Sequence, residues 1–129
     1  MKKLFSSFLG FLLISLMFTS CVENQTFFDE SLLFGKWQEF NMDGSTLNFE
    51  VYNADGTGYT WDESDDVTEA EAQPFSWELN QATLMQIHIM EGGQKIPKVY
   101  TLIKLTNSEL SYKDDFGVTY DFIKANWKL

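Results

Sequence analysis

From residue 35 onward the sequence predicts an all-β domain, a small antiparallel up-and-down barrel of about eight strands. Three observations carry this. No window there sustains a 3.6-residue apolar period, and the apolar runs are short and rich in aromatic and β-branched residues. Turn chemistry separates the runs, with Asp43-Gly44, Asp55-Gly56 and Gly92-Gly93 supplying residues that tolerate positive φ. Apart from the twelve residues 62–73, the connections are also shorter than the dozen or more residues a parallel crossover needs, so neighbouring strands are expected to run antiparallel. A meander with one buried face hides its two edges by closing on itself.

Element by element, Glu30-Ser31-Leu32-Leu33-Phe34 is expected to form one helical turn ahead of the sheet. Strands are expected near 36–41, 46–52, 58–61, 74–79, 83–90, 98–105, 109–113 and 118–124. Phe75, Trp77 and Leu79 alternate with Ser76, Glu78 and Asn80, which marks one face as buried. Val118, Tyr120 and Phe122 alternate with polar partners until Ile123 breaks the pattern. Between Thr83 and Met90 both faces carry apolar residues, and the inward face stays open.

The first 21 residues, MKKLFSSFLGFLLISLMFTSC, have another character. Lys2 and Lys3 precede an apolar run from Leu4 to Phe18, too short and too interrupted by Ser and Gly to span a bilayer comfortably. Thr19 and Ser20 then lead into Cys21, the only cysteine of the chain. The layout resembles a bacterial lipoprotein signal, with Phe18 where that family usually carries Leu. The resemblance implies cleavage before Cys21 and acylation there, so the protein meets a membrane through a lipid anchor in the cell envelope, at the outer membrane. A disulfide within the chain is impossible, and acylation gives the lone cysteine a role. The expected organisation is a signal peptide over 1–20, an acylated Cys21 and tether over 21–31, and one domain over 32–129. That domain is large enough to fold without metal or disulfides.

Charge excludes several functions. The 129 residues hold nine basic residues, all Lys, against nineteen Asp plus Glu, for a net charge of −10. Loss of Lys2 and Lys3 with the signal would leave seven lysines. Nucleic-acid binding is disfavoured, because phosphate contacts need clustered Lys and Arg. The missing Arg also removes the fork that best grips carboxylates and phosphates, which speaks against an anionic ligand.

Several motifs recur in order along the domain: Gly35-Lys36-Trp37, Tyr52 with Asp55-Gly56-Thr57, and Phe75-x-Trp77-x-Leu79 followed by Leu84. Tyr100-x-Leu102 with Leu105-Thr106 completes the series. Together with the signal they resemble the lipocalin-like lipoproteins of the Bacteroidetes type over roughly residues 32–124. The resemblance implies a barrel or half-open barrel with Trp37 plugging one end. The family's tryptophan packs beneath an Arg of the last strand; here Lys124 is the only nearby cation that can stand over Trp37.

Candidate chemistry is sparse. His88 is the only histidine, flanked by Ile87 and Ile89 without Ser, Cys or Asp at catalytic spacing, and is expected to be structural or at the surface. Asp62, Glu63, Asp65, Asp66, Glu69 and Glu71 form an acidic loop whose spacing matches no calcium loop, so a solvated loop beside the barrel mouth is expected and no metal site. Carboxylate pairs are inevitable among nineteen acids and do not signal hydrolysis. No enzymatic activity and no cofactor are expected. Aromatics make up 16% of the chain and are the remaining signal. Trp61, Phe75, Trp77, Tyr100 and Phe122 are the residues expected near any cavity, for a small neutral apolar ligand. The competing expectation is a barrel filled by these same side chains, serving as a protein-interaction or inhibitor module.

Overall fold

The structure, a computed structural model, describes residues 27–40 and 47–125. The barrel is closed, with eight antiparallel strands in sequence order: β1 (Gly35–Glu39), β2 (Asn48–Tyr52), β3 (Thr57–Asp62), β4 (Gln73–Asn80), β5 (Thr83–Ile89), β6 (Lys95–Leu105), β7 (Glu109–Lys113) and β8 (Thr119–Lys124). Closure is made by β1 against β8, where Trp37 stands opposite Lys124 and Glu39 opposite Phe122. The all-β, up-and-down expectation therefore holds. Cys21, the turn at 42–45 and the neighbouring residues Asn41 and Thr46 lie outside the described residues.

Strand boundaries move modestly. β6 begins at Lys95, three residues before the expected start, because Ile96 and Pro97 are drawn into the ladder opposite His88 and Ile87. A register shift between Leu102 and Lys104 then bulges Ile103 out of the ladder with β7 and leaves Leu102 and Leu105 both buried.

Strand directions give the barrel two unlike ends. The tight turns after β2, β4 and β6 lie at one end together with a 3₁₀ turn, Glu30–Leu33. Asp29 caps that turn, its carboxylate accepting from the Ser31 amide at 3.0 Å. Leu33 is fully buried, and Phe28, Leu32 and Phe34 pack on the same core, so this end is plugged. The connections after β3, β5 and β7 lie at the opposite end, which is open among the described residues.

Gly35-Lys36-Trp37 owes its form to the plug. Gly35 has φ +120°, a backbone region glycine favours, and a Cβ there would meet the Lys124 side chain at 2.8–2.9 Å. That space lets Lys124 reach inward to donate to the Phe34 carbonyl, with its ammonium 4.4 Å from the Trp37 ring centroid. Burial lowers the Lys124 pKa from the ordinary lysine value. The Trp37 indole N–H donates to the Leu33 carbonyl at 2.8 Å, tying the plug to the first strand.

The chain also builds a second, smaller apolar cluster on the outer wall. Phe49, Val51 and Trp61 are buried there, with Phe49 and Trp61 stacked at 4.9 Å. Phe49 and Val51 alternate with Glu50, the residue between them, which faces in opposite Trp37. Val67 and Ala72 of the acidic connection pack over them. Lys36 stands about 5 Å from both rings and 3.5 Å from Glu69. The acidic segment forms two short 3₁₀ turns, Glu63–Asp65 and Glu69–Glu71, and folds against the wall of the barrel. Its acids Glu63, Asp65, Asp66, Glu69 and Glu71 are exposed, as expected of a solvated loop, while Val67 and Ala72 tie the segment to the wall.

Candidate functional site

The interior of the open half is assembled by register. Residues directly opposite in an antiparallel ladder share a face, so Phe75 and Trp77 of β4 bring His88 and Gln86 of β5 inward. The apolar residues Met85 and Ile89 consequently face out and stay partly exposed. On β6 the same rule turns Ile96, Lys98 and Tyr100 inward, opposite His88, Gln86 and Leu84. Tyr112 on β7 and Tyr120 on β8 complete the wall.

At mid-barrel stands Glu50, a carboxylate only 5% exposed. Tyr112 donates to its Oε1 at 2.5 Å and Tyr52 donates to its Oε2. Gln86 Nε2 donates to the Tyr52 hydroxyl oxygen at 2.6 Å and reaches Glu50 Oε2 at 3.4 Å. His88 Nε2 lies 2.8 Å from Gln86 Oε1. Among the described residues no lysine pairs with Glu50, and burial raises its pKa, while the tyrosine and glutamine donors pull the other way. Burial lifts the hydroxyl pKa values of Tyr52 and Tyr112 well above the usual tyrosine range, and the Glu50 charge adds to it. His88 is lowered to about 4, by burial first and then by the Lys98 charge. At neutral pH the histidine is uncharged.

Above this network lies an open cleft of about 340 Å³ lined by Lys98, Tyr100, Asp114, Asp115, Phe116 and Tyr120, among others. Tyr100 packs against Tyr112 at 4.3 Å between ring centroids and edge-on to Tyr120 at 6.3 Å. Asp114 shapes the adjoining turn: its carboxylate accepts from the Phe116 and Val118 amides, both at 2.9 Å, and from the Tyr120 hydroxyl at 3.3 Å. Phe116, held at the tip of that turn, is 93% exposed.

Of the residues expected near a cavity, the barrel brings four together. Phe75, Trp77 and Phe122 are buried in the inner core, and Tyr100 packs at its edge. Trp77 lies toward the plugged end beside Phe34, donating its indole N–H to the Thr57 and Asn53 carbonyls at 3.0 and 3.2 Å. Trp61 stands apart on the outer wall, because its partner opposite in β2 is the outward-facing Phe49. Compared with protein-family models, curated proteins and solved structures, the chain gives no match. Among the described residues no group of three or more His, Cys, Asp or Glu is placed to hold a metal ion. None of their helices is long and apolar enough to cross a membrane.

Sequence reasoning passed over Glu50, Gln86 and Tyr112, named Tyr52 only as part of a motif, and placed His88 in a structural or surface role. The signal for Glu50 was its position in a short strand, Asn48–Tyr52, where Phe49 and Val51 look like the inward pair. That pair faces the outer wall, where Tyr59, Val67 and Ala72 cover it.

Proposed function

We propose that the chain is an envelope-anchored lipoprotein of lipocalin-like architecture. It binds a small neutral ligand at the open end of its barrel and does not transform it. The observation that carries this reading is the open cleft of about 340 Å³, in which the rings of Tyr100, Phe116 and Tyr120 stand among Lys98, Asp114 and Asp115, a size and lining suited to a small ring-bearing molecule with a polar group. The closed, antiparallel eight-stranded barrel supports the lipocalin-like part, as does Trp37 beneath Lys124. The signal-like stretch ending in Cys21 supports the anchor. Because the chain enters the barrel at the plugged end, an acyl group at Cys21 would leave the cleft facing away from the membrane.

Two experiments test the two halves. Cells fed labelled palmitate should tag the wild-type protein, and Cys21→Ser should lose both the label and the membrane fraction. A label that persists in Cys21→Ser refutes the anchor. For binding, titration with neutral aromatic probes is followed by intrinsic fluorescence. Saturable binding that weakens at least several-fold in Tyr120→Ala is the expected result, and no saturable binding to any neutral probe refutes the cleft as a site. That second outcome would favour an interaction module, for which Met85, Val99 and Ile103 on the outer wall, 37%, 40% and 50% exposed, are the natural contact surface.

A further inference from the structure

The hydrogen-bond network of the barrel interior has a fixed direction. Tyr52 gives its only proton to Glu50, so its oxygen is left to accept from Gln86 Nε2. The amide of Gln86 is thereby oriented, and its Oε1 faces His88 as an acceptor. His88 Nε2 must carry the proton in that contact. In the neutral ring, Nδ1 is then a bare acceptor. His88 is 5% exposed, and Nδ1 has no hydrogen-bond partner among the described residues.

A buried acceptor without a donor is rare in folded proteins and costly. The surrounding residues suit one kind of donor. Lys98 lines the cleft and stands opposite Gln86 in the ladder, which makes it the diagonal neighbour of His88 on the same face of the sheet. Its positive charge repels a cationic donor. A hydroxyl satisfies both groups: its proton goes to His88 Nδ1, and its oxygen accepts from the Lys98 ammonium. The rings of Phe75, 5.3 Å from the histidine ring, and of Tyr100 favour an aromatic body on that hydroxyl.

We propose that the open half of the barrel takes a neutral phenolic ligand, its hydroxyl donating to His88 Nδ1 and accepting from Lys98. Ile96, opposite His88 in the ladder and 41% exposed, and the Lys98 side chain are the groups such a ligand has to displace to reach Nδ1. The proposal rests on the reading of the cleft as a binding site and specifies the ligand's chemistry.

Phenol and anisole form the decisive probe pair, since they share the ring and differ in the donor. The full chain contains a single histidine, so ¹⁵N spectra of the imidazole report on His88 alone. Phenol should bind about tenfold more tightly than anisole, the worth of one hydrogen bond, and should move the Nδ1 resonance while anisole leaves it in place. His88→Phe should abolish the preference while retaining anisole binding; if that variant does not fold, the wild-type Nδ1 shift decides alone. Equal affinities, a preference that survives in His88→Phe, or an Nδ1 resonance unmoved by saturating phenol would overturn the proposal while leaving the cleft as a site. Binding of neither probe would overturn the cleft reading and the proposal with it.

Discussion

Replacing Trp37 with Ala tests how the plugged end is held. The side chain is fully buried, and removing a large buried aromatic costs about 3–5 kcal/mol. Two local effects put this case at the upper end. The Leu33 carbonyl loses the indole N–H that it accepts at 2.8 Å, which leaves a buried acceptor and adds about 1 kcal/mol. The half-buried Lys124 ammonium loses the ring face 4.4 Å away, for a further ~0.5–1 kcal/mol. The expected total is about 5 kcal/mol, comparable to the whole stability of a marginal domain. Trp37→Phe keeps most of the packing and loses the hydrogen bond, so about 2 kcal/mol is expected. Urea unfolding followed by circular dichroism reads both; at a slope of about 1.5 kcal/mol/M the midpoint for Ala should fall by roughly 3 M. A loss below about 1 kcal/mol for Trp37→Ala would refute the plug as a stabilising element.

Other perturbations probe the interior and the walls. Glu50→Leu strands the donors of Tyr52 and Tyr112 and should cost about 2–4 kcal/mol; a double-mutant cycle with Tyr112→Phe should recover at least about 1 kcal/mol, and strict additivity would refute the network. Gly58→Ala places a Cβ 2.4 Å from the Val51 carbonyl oxygen and 2.6 Å from the Phe75 ring, so a loss of about 2–3 kcal/mol is expected in the same unfolding assay, and a neutral effect would refute that close approach. His88 is held at about 4, below its ordinary 6.5, so the unfolded chain binds the proton more tightly and stability falls as pH drops from 6.5 to 4. After allowance for solvent screening near the rim this amounts to about 1–2 kcal/mol, and His88→Gln should flatten the stability profile in that window. Glu50 shifts in the opposite sense: its raised pKa contributes stability below the ordinary carboxylate range that is lost as pH rises through its folded value, so Glu50→Gln should flatten the profile on the alkaline side of 4.5.

Much of the fold was legible because it depends on local chemistry. Turn residues, strand lengths and short connections are written along the chain, and they dictate an antiparallel meander whose edges must close. Gly35, Trp37 and Lys124 were legible as a group through their motif and the scarcity of cations. The faces of β5 were also within reach. Once Phe75 and Trp77 point inward, a tight turn after Asn80 places even-numbered residues opposite them, although the outer residues Met85, Ile87 and Ile89 are the more apolar set. Tertiary structure alone decided β2 and β3. Phe49, Val51 and Trp61 face out, where Val67 and Ala72, far along the chain in an acidic segment, remove their surface from water. The inner face is left to Glu50, whose burial is tolerable only where donors from β2, β5 and β7 converge on it. A period-two pattern records which residues share a face. It carries no record of what the rest of the chain lays against that face, and for this protein that covering sets both the candidate site and the residues around it.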